Sequence, residues 1–371
     1  MTLVQRIRRA PWILALLLIF FFILSWLSLE APIVPEQLHR FRPSAQLAAA
    51  AEDVDTSSFR KLVRTLYKPT QAIDGTTFRD YAGTEWGIQG EPLWTKPLGK
   101  RLCIIDIDTR PLDKEGEIMD ENPLNWDKTH PLAAGMLNHY MYAMIHGYEY
   151  YFIRTDKQPD RAPFWTKPSA LSRILKSHDV CISIDADAVF THLSLPFEWL
   201  LNRWRVVPEK TSLAMALDPD RSWNKDSYGK VVNNAGFVVA QNLPRTHDML
   251  AAWTSCPDDE VKYPNCSHWK NPWPAEQRAF ADYIRYEFDQ EHDVKDIPCA
   301  EGNGYPESGT ECKGQFVRHF WLKKGELLKP GVSASLAQAM LGLAHESFIA
   351  RKEEIVVKDE PGKASQEKTF S

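Results

Sequence analysis

Apolar residues occur along this chain in three patterns, and each pattern predicts a different element. The longest run, Pro11–Leu29, is almost wholly apolar. Its length, about 20 residues, suits one pass through a bilayer. Shorter runs are bounded by polar residues and read as buried strands. They are Leu102–Ile105, Glu149–Ile153, Val180–Ile184, Ser212–Leu217 and the stretch Asn233–Ala240. Phe316–Gly325 reads as a further strand-like run carrying a lone histidine, His319. The third pattern has helical period. Leu132, Met136, Leu137, Tyr140, Met141 and Met144 share one side of a helix over Leu132–His146. His139, Tyr142 and His146 fall on another face. Pro131 suits its first turn, Thr129 its cap, and Gly147 its end. Further helices are expected after Ser169 as a cap, over Pro196–Trp204, over Arg245–Trp253 and over Pro274–Phe288. Strands alternating with helices imply right-handed parallel crossovers and an α/β, Rossmann-like fold.

The flanks divide the chain. Arg6, Arg8 and Arg9 precede the apolar run with no acidic residue among them. By the positive-inside rule, 1–10 is a cytosolic tail, 11–29 a transmembrane signal anchor, and the remainder lumenal or extracellular. A cleaved signal peptide would have a shorter apolar core and a small-residue cleavage site, for which Ser25-Trp26-Leu27-Ser28 is poor. Residues 30–98 open with Pro32, Pro35 and Pro43 and read as a stem. The folded domain is expected over 99–350. Residues 351–371, charged and containing Pro and Gly, read as a disordered tail.

Composition narrows the function. A net charge of −5 over 371 residues argues against a general nucleic-acid binder. The 13 tryptophans serve packing or the stacking of sugar rings. Six cysteines fit an oxidising compartment. Cys103 and Cys181 sit inside core strands and read as buried thiols. Cys256 with Cys266, and Cys299 with Cys312, read as local disulfides. Asn265-Cys266-Ser267 is a glycosylation sequon, usable only on the lumenal side.

The chemistry-bearing stretch is Ile184-Asp185-Ala186-Asp187. In an extended chain, residues i and i+2 point the same way. Two close carboxylates repel unless something neutralises them. A hard divalent cation, Mg²⁺ or Mn²⁺, does so and also grips phosphate oxygens. The alternative is a polar strand end that meets solvent. Asp106-Ile107-Asp108-Thr109-Arg110 ends another strand, where Thr109 and Arg110 would meet a nucleotide. Arg110 as a plain surface charge is the alternative. Gly236 permits close backbone approach, and Asn233 and Asn234 offer partners for sugar hydroxyls, with a plain turn as the alternative. Glu276 and Gln277 open a helix.

In order along 101–325, these stretches form a series. They are Asn138–Tyr148 ending in His146-Gly147-Tyr148, Trp165-Thr166-Lys167-Pro168, Ile184–Val189, Asn234-Ala235-Gly236-Phe237, Glu276-Gln277 and His319-Phe320. The series resembles glycosyltransferase family 34. That family holds fungal α-galactosyl- and α-mannosyltransferases and plant xyloglucan xylosyltransferases with the GT-A nucleotide-sugar fold. The strand before Asp-x-Asp is less aromatic here than is usual in the family, and Glu276 stands where an Asp is more usual.

The resemblance implies a metal-dependent, retaining transfer by a front-face path. The sugar would pass from a UDP- or GDP-sugar to a glycan or glycoprotein acceptor. It implies Mn²⁺ (or Mg²⁺) held by Asp185, Asp187 and His319. Thr109, Arg110, His146, Lys167, Asn234, Gly236 and Lys324 would contact the donor, with Lys324 offsetting charge on the departing diphosphate. Gln277 would lie near the anomeric carbon. It also implies a single-pass type II Golgi membrane protein with a lumenal catalytic domain. Two alternatives stand beside it. One is a non-catalytic lumenal scaffold subunit of a glycosyltransferase complex. The other is an inverting GT-A enzyme with Glu276 as general base.

Overall fold

A computed structural model of the chain describes residues 56–356, apart from 68 and 70. The cytosolic tail, the Pro11–Leu29 run, the first part of the stem and the end of the tail lie outside the described residues. Among the described residues no helix is long and apolar enough to cross a membrane.

The stretch read as a stem is folded from Thr56 onward. Helix α1 (Thr56–Leu66) is followed by a hairpin of β1 (Thr77–Arg79) and β2 (Glu85–Gly87). Val63, Tyr67, Phe78 and Leu98 are buried in the same core as Leu102 and Ile104. Few positions per element are apolar here, so the segment's charge hid its contribution to the core. Asp80 closes the hairpin, accepting from Ala82 N, Thr84 N and Trp86 Nε1.

The central sheet is mixed. Its strands are β3 (Leu102–Asp108), β4 (Glu149–Arg154), β5 (Val180–Ile184), β7 (Leu213–Leu217), β8 (Asn233–Gln241) and β9 (Val294–Ile297). They lie in the order β4-β3-β5-β8-β7-β9. Parallel pairing joins β3 to β4 and β5, and β7 to β9, while β8 runs antiparallel to both of its neighbours. Alternate residues face opposite layers, as the two-residue strand period requires. Leu102, Ile104, Ile182, Phe237 and Val239 enter one core, and Cys103, Ile105, Met215, Val238 and Ala240 enter the other. With both faces covered, the strands are near-continuous apolar runs. Helix α2 (Pro131–His146) packs beside β3 and β4, and α3 (Thr166–Leu175) against β3 and β5; α4 (Phe197–Arg203) and α5 (Pro244–Ser255) follow.

Several local expectations are corrected. His130, not Thr129, caps α2, its ring accepting from Leu132 N. Helix α3 starts at Thr166, so Ser169 lies inside it and bonds Thr166 O. The helix expected over Pro274–Phe288 is a short turn Glu276–Ala279, a π-helical Phe280–Ile284 and a last turn Arg285–Glu287. Of Phe316–Gly325 only Val317–His319 (β10) is a strand, paired antiparallel with β6 (Ala188–Phe190). The chain then enters a long helix that the sequence concealed behind Pro330 and Gly331, α6 (Lys324–Ala350). A further helical turn, Lys352–Ile355, follows inside the segment read as tail.

Cys103 and Cys181 are not free thiols. They are cross-strand neighbours of β3 and β5, with Cα atoms 4.6 Å apart, and form a disulfide. Both being core residues was legible in the sequence; the register that sets them face to face was not. Cys256–Cys266 and Cys299–Cys312 are also bonded.

Candidate active site

Strand β5 ends at Ile184, and the chain immediately makes a tight turn in which Ala188 N bonds Asp185 O at 2.8 Å. Asp185 and Asp187 therefore come together on a turn rather than by strand alternation. Neighbouring backbone holds this turn on both sides. Asp185 N donates to Gly236 O of β8, and Phe320 N to Asp187 O, each at 2.8 Å. The β6–β10 ladder sets His319 opposite Ala188. One ligand atom each from Asp185, Asp187 and His319 then lies within 4.8 Å of the others.

Helix α2 supports the turn from beneath. His139 is wholly buried, with Nε2 2.7 Å from Ala188 O and Nδ1 2.9 Å from Asp106. Tyr150 also donates to Asp106. Burial opposes charge on His139, but Asp106 outweighs it and raises the imidazole pKa. Asp106 thus serves the fold behind the turn. Asp108, the other carboxylate of that pair, grips Arg110 at 2.6 Å.

The turn opens into a cleft of about 690 Å³. Thr109, Arg110, Lys167, Asp185, Asp187, Asn234, Gly236, Glu276, Gln277, His319 and Lys324 all line it. Lys167 Nζ sits 2.6 Å from Asp185 and 3.6 Å from Glu276, and Lys324 Nζ 2.8 Å from Asp187. His319 Nε2 is 3.3 Å from Asp187 Oδ1. Burial would raise the Asp187 carboxyl, but His319 and Lys324 hold it well below the usual carboxylate range. Burial would lower His319, but Asp187 raises it. The carboxylates are thus each matched by a lysine, a neutralisation the sequence did not disclose.

A Cβ on Gly236 would fall 2.4 Å from His319 Cε1, so glycine is what lets the imidazole lie over β8. Glu276 is 3% exposed, and its Oε2 has no hydrogen-bond partner among the described residues. Burial pushes its carboxyl up to about 7, with Lys167 opposing. Gln277 is tied at both ends, Oε1 accepting from Ala235 N and Nε2 donating to Asp218.

His146 is a correction. It does not line the cleft. Its Nε2 bonds Leu193 O at 2.8 Å and its half-buried ring stacks on Tyr148 at the edge of the core. The Asn138–Tyr148 stretch as a whole serves packing. Asn138 pairs with both backbone groups of Phe190, and Tyr148 OH bonds Glu198. Asn265 is exposed beside the Cys256–Cys266 bond, in the left-handed region at φ +67°.

Sequence reasoning assigned no role to Asp218, Asn303, Trp273 or Phe164. Asp218 carried the same signal as Asp185, an acidic residue closing an apolar strand. Trp273 and Phe164 meet edge to face at 5.7 Å on the cleft wall, and Trp273 is 76% exposed.

The two carboxylates and the imidazole suit a divalent ion by number and donor type.

No protein-family model matches the chain. "Probable glycosyltransferase 4" of Oryza sativa, in both the indica and japonica subspecies, is 25% identical over 130 residues. That match covers 33% of this chain, and the chain spans only 25% of the length of these curated relatives. A glycosyltransferase involved in the glycosylation of the major capsid of PBCV-1 superposes with a TM-score of 0.43 at 11% identity, covering 62% of this chain and 98% of that one. Mouse xyloside xylosyltransferase 1 superposes with a TM-score of 0.34 at 11% identity, covering 59% of this chain and 96% of that one.

Proposed function

We propose that the protein is a GT-A glycosyltransferase that moves a hexosyl or pentosyl unit from a UDP- or GDP-sugar to a glycan acceptor, with retention. The observation that carries this reading is the meeting of Asp185 and Asp187, on the β5–β6 turn, with His319 of β10 at one cleft. The partial likeness to the rice relative named a probable glycosyltransferase supports it. Asp185, Asp187 and His319 would hold Mn²⁺ or Mg²⁺. Such an ion, when bound, grips the donor's diphosphate oxygens and stabilises the diphosphate as a leaving group.

The chain's own residues then do the following. Lys324 and Lys167 bring positive charge to the diphosphate, where charge accumulates as the bond breaks. Thr109 and Arg110 face the nucleoside, and Asn234 and Gly236 the donor sugar. Gln277, clamped at both ends, presents its amide near the anomeric carbon. The acceptor oxygen bonds to that carbon as its bond to the diphosphate oxygen breaks. The bonding electrons leave with the diphosphate, and the hydroxyl proton passes to a diphosphate oxygen. Trp273 and Phe164 offer an apolar platform for a ring of the acceptor.

One observation favours a second reading. Glu276, buried and pushed up to about 7, suits a general base at neutral pH. In an inverting enzyme the acceptor proton would pass to it. The anomeric configuration of the product, read by NMR, separates the two.

A lumenal, single-pass type II Golgi setting fits the Pro11–Leu29 run, the three disulfides and the exposed Asn265 sequon. The test of the function is calorimetric titration of Mn²⁺ and of UDP or GDP into wild type, Asp187→Asn and His319→Ala, with a donor-hydrolysis screen. Binding that is lost or weakened in both variants supports the reading. Equal binding by all three proteins overturns it, and a scaffold role would then remain.

A further inference from the structure

Three side-chain amides converge on one carboxylate behind the cleft. Asp218 follows β7 and does not line the cleft. Its Oδ1 accepts from Asn234 Nδ2 at 2.8 Å and from Asn303 Nδ2 at 3.0 Å. Its Oδ2 accepts from Gln277 Nε2 at 2.9 Å.

Backbone groups dictate which way round each amide lies. Ala235 N can only donate, so it faces Gln277 Oε1. Gly236 N likewise faces Asn234 Oδ1. Leu217 O can only accept, so it faces Asn303 Nδ2, while Gly304 N faces Asn303 Oδ1. All three NH₂ groups are thereby aimed at position 218. Only a side chain with two accepting ends takes them all. An asparagine there would set NH₂ against NH₂ for at least one partner.

The consequence reaches the metal-site histidine. With Nδ2 committed to Leu217 and Asp218, Asn303 turns Oδ1 to His319 Nδ1, 3.2 Å away. An oxygen there requires hydrogen on Nδ1. Nε2 faces Asp187 Oδ1 at 3.3 Å and is the nitrogen a bound ion would take in place of a hydrogen. A histidine ligand is usually oriented in this way by what its other nitrogen donates to.

We propose that Asp218 is a positioning residue. Together with those backbone groups it anchors the cleft amides of Asn234 and Gln277 and, through Asn303, favours hydrogen on Nδ1 so that His319 can offer Nε2. This rests on the proposed metal-dependent function only for what Nε2 does.

The test compares Asp218→Asn and Asn303→Ala with wild type by calorimetric titration of Mn²⁺ and by thermal melting. His146→Gln, a core change away from the cleft, controls for lost stability. The expected result is a Mn²⁺ affinity lower by about 10–100-fold in both Asp218→Asn and Asn303→Ala, the usual cost of disturbing residues behind a metal ligand. His146→Gln should bind as wild type does. Wild-type affinity in a folded Asp218→Asn or in Asn303→Ala overturns the proposal, as does an equal loss in His146→Gln. If Asp218→Asn does not fold, Asn303→Ala carries the comparison.

Should wild type bind no Mn²⁺, the proposed function fails, and the positioning role is read without metal. Long-range ¹H–¹⁵N spectra should then show a hydrogen-bonded Nδ1 hydrogen on His319 in wild type and its loss or shift in Asn303→Ala. Identical spectra overturn the proposal.

Discussion

Gly135 of α2 lies so close to Ala186 that a Cβ on it would fall 1.9 Å from the Ala186 carbonyl oxygen. The atom in the way is backbone of the turn between Asp185 and Asp187, so the helix and the turn are packed surface to surface. His139, one turn further along α2, bonds the same loop at Ala188 O.

Gly135→Ala should therefore destabilise the protein by about 1–3 kcal/mol, the usual cost of overpacking. At an unconstrained helix position the same change would stabilise by up to about 1 kcal/mol. Mn²⁺ affinity should fall as well, since the carboxylates ride on the displaced turn. Denaturant unfolding with metal titration checks both. A more stable variant would show that the turn does not rest on the helix.

Asp187→Asn should abolish metal-dependent transfer and also lower stability. Two facing carboxylates would gain from losing one charge, but here Lys324 and His319 both contact Asp187. Removing it leaves the Lys324 ammonium and the His319 ring without their carboxylate partner, at a cost of about 1.5–3 kcal/mol, the scale for hydrogen bonds to charged groups. Thermal melting in the absence of metal is the measurement. An unchanged or higher melting temperature would mean that repulsion between Asp185 and Asp187 dominates.

His146 should govern acid stability rather than donor binding. Burial pushes its imidazole down to about 4, with Arg64 adding to the effect and Leu193 O opposing it. As pH falls through 6.5, the unfolded chain takes up this proton and the folded chain does not until about 4. The stability tied to a neutral His146 is complete above pH 6.5 and is lost toward pH 4. The loss is on the order of 3 kcal/mol. His146→Gln should flatten this acid limb in urea titrations at pH 7 and pH 5, with UDP or GDP affinity unchanged. Weaker nucleotide binding at full stability would return His146 to the donor site.

Trp273→Ala should raise the KM for a glycan acceptor about fivefold, taking the ring contact at ~1 kcal/mol. Donor hydrolysis, which needs no acceptor, should be unaffected. A matched loss in hydrolysis would place Trp273 against the donor instead.

The sequence by itself determined the sheet strands and most of the cleft's residue types. Strands buried on both faces must be continuous apolar runs, and the carboxylates that end them stand out. It also determined the local pairs Cys256–Cys266 and Cys299–Cys312, whose partners are near in the chain. Tertiary structure alone decided which residues meet. Pairing of β6 with β10 set His319 beside Asp187, and the register of β3 and β5 joined Cys103 to Cys181. Packing against Tyr142, Tyr148 and Leu193 took His146 away from the cleft. Residues 56–98 joined the core through isolated apolar side chains too sparse to form a pattern. Helix α6 formed despite Pro330 and Gly331, because Leu328 and Val332 are buried against the body. Asp218 shows the limit most plainly. An acidic strand end is visible in one dimension, but the three amides aimed at it come from β8, the Glu276 turn and Asn303, and only folding brings them together.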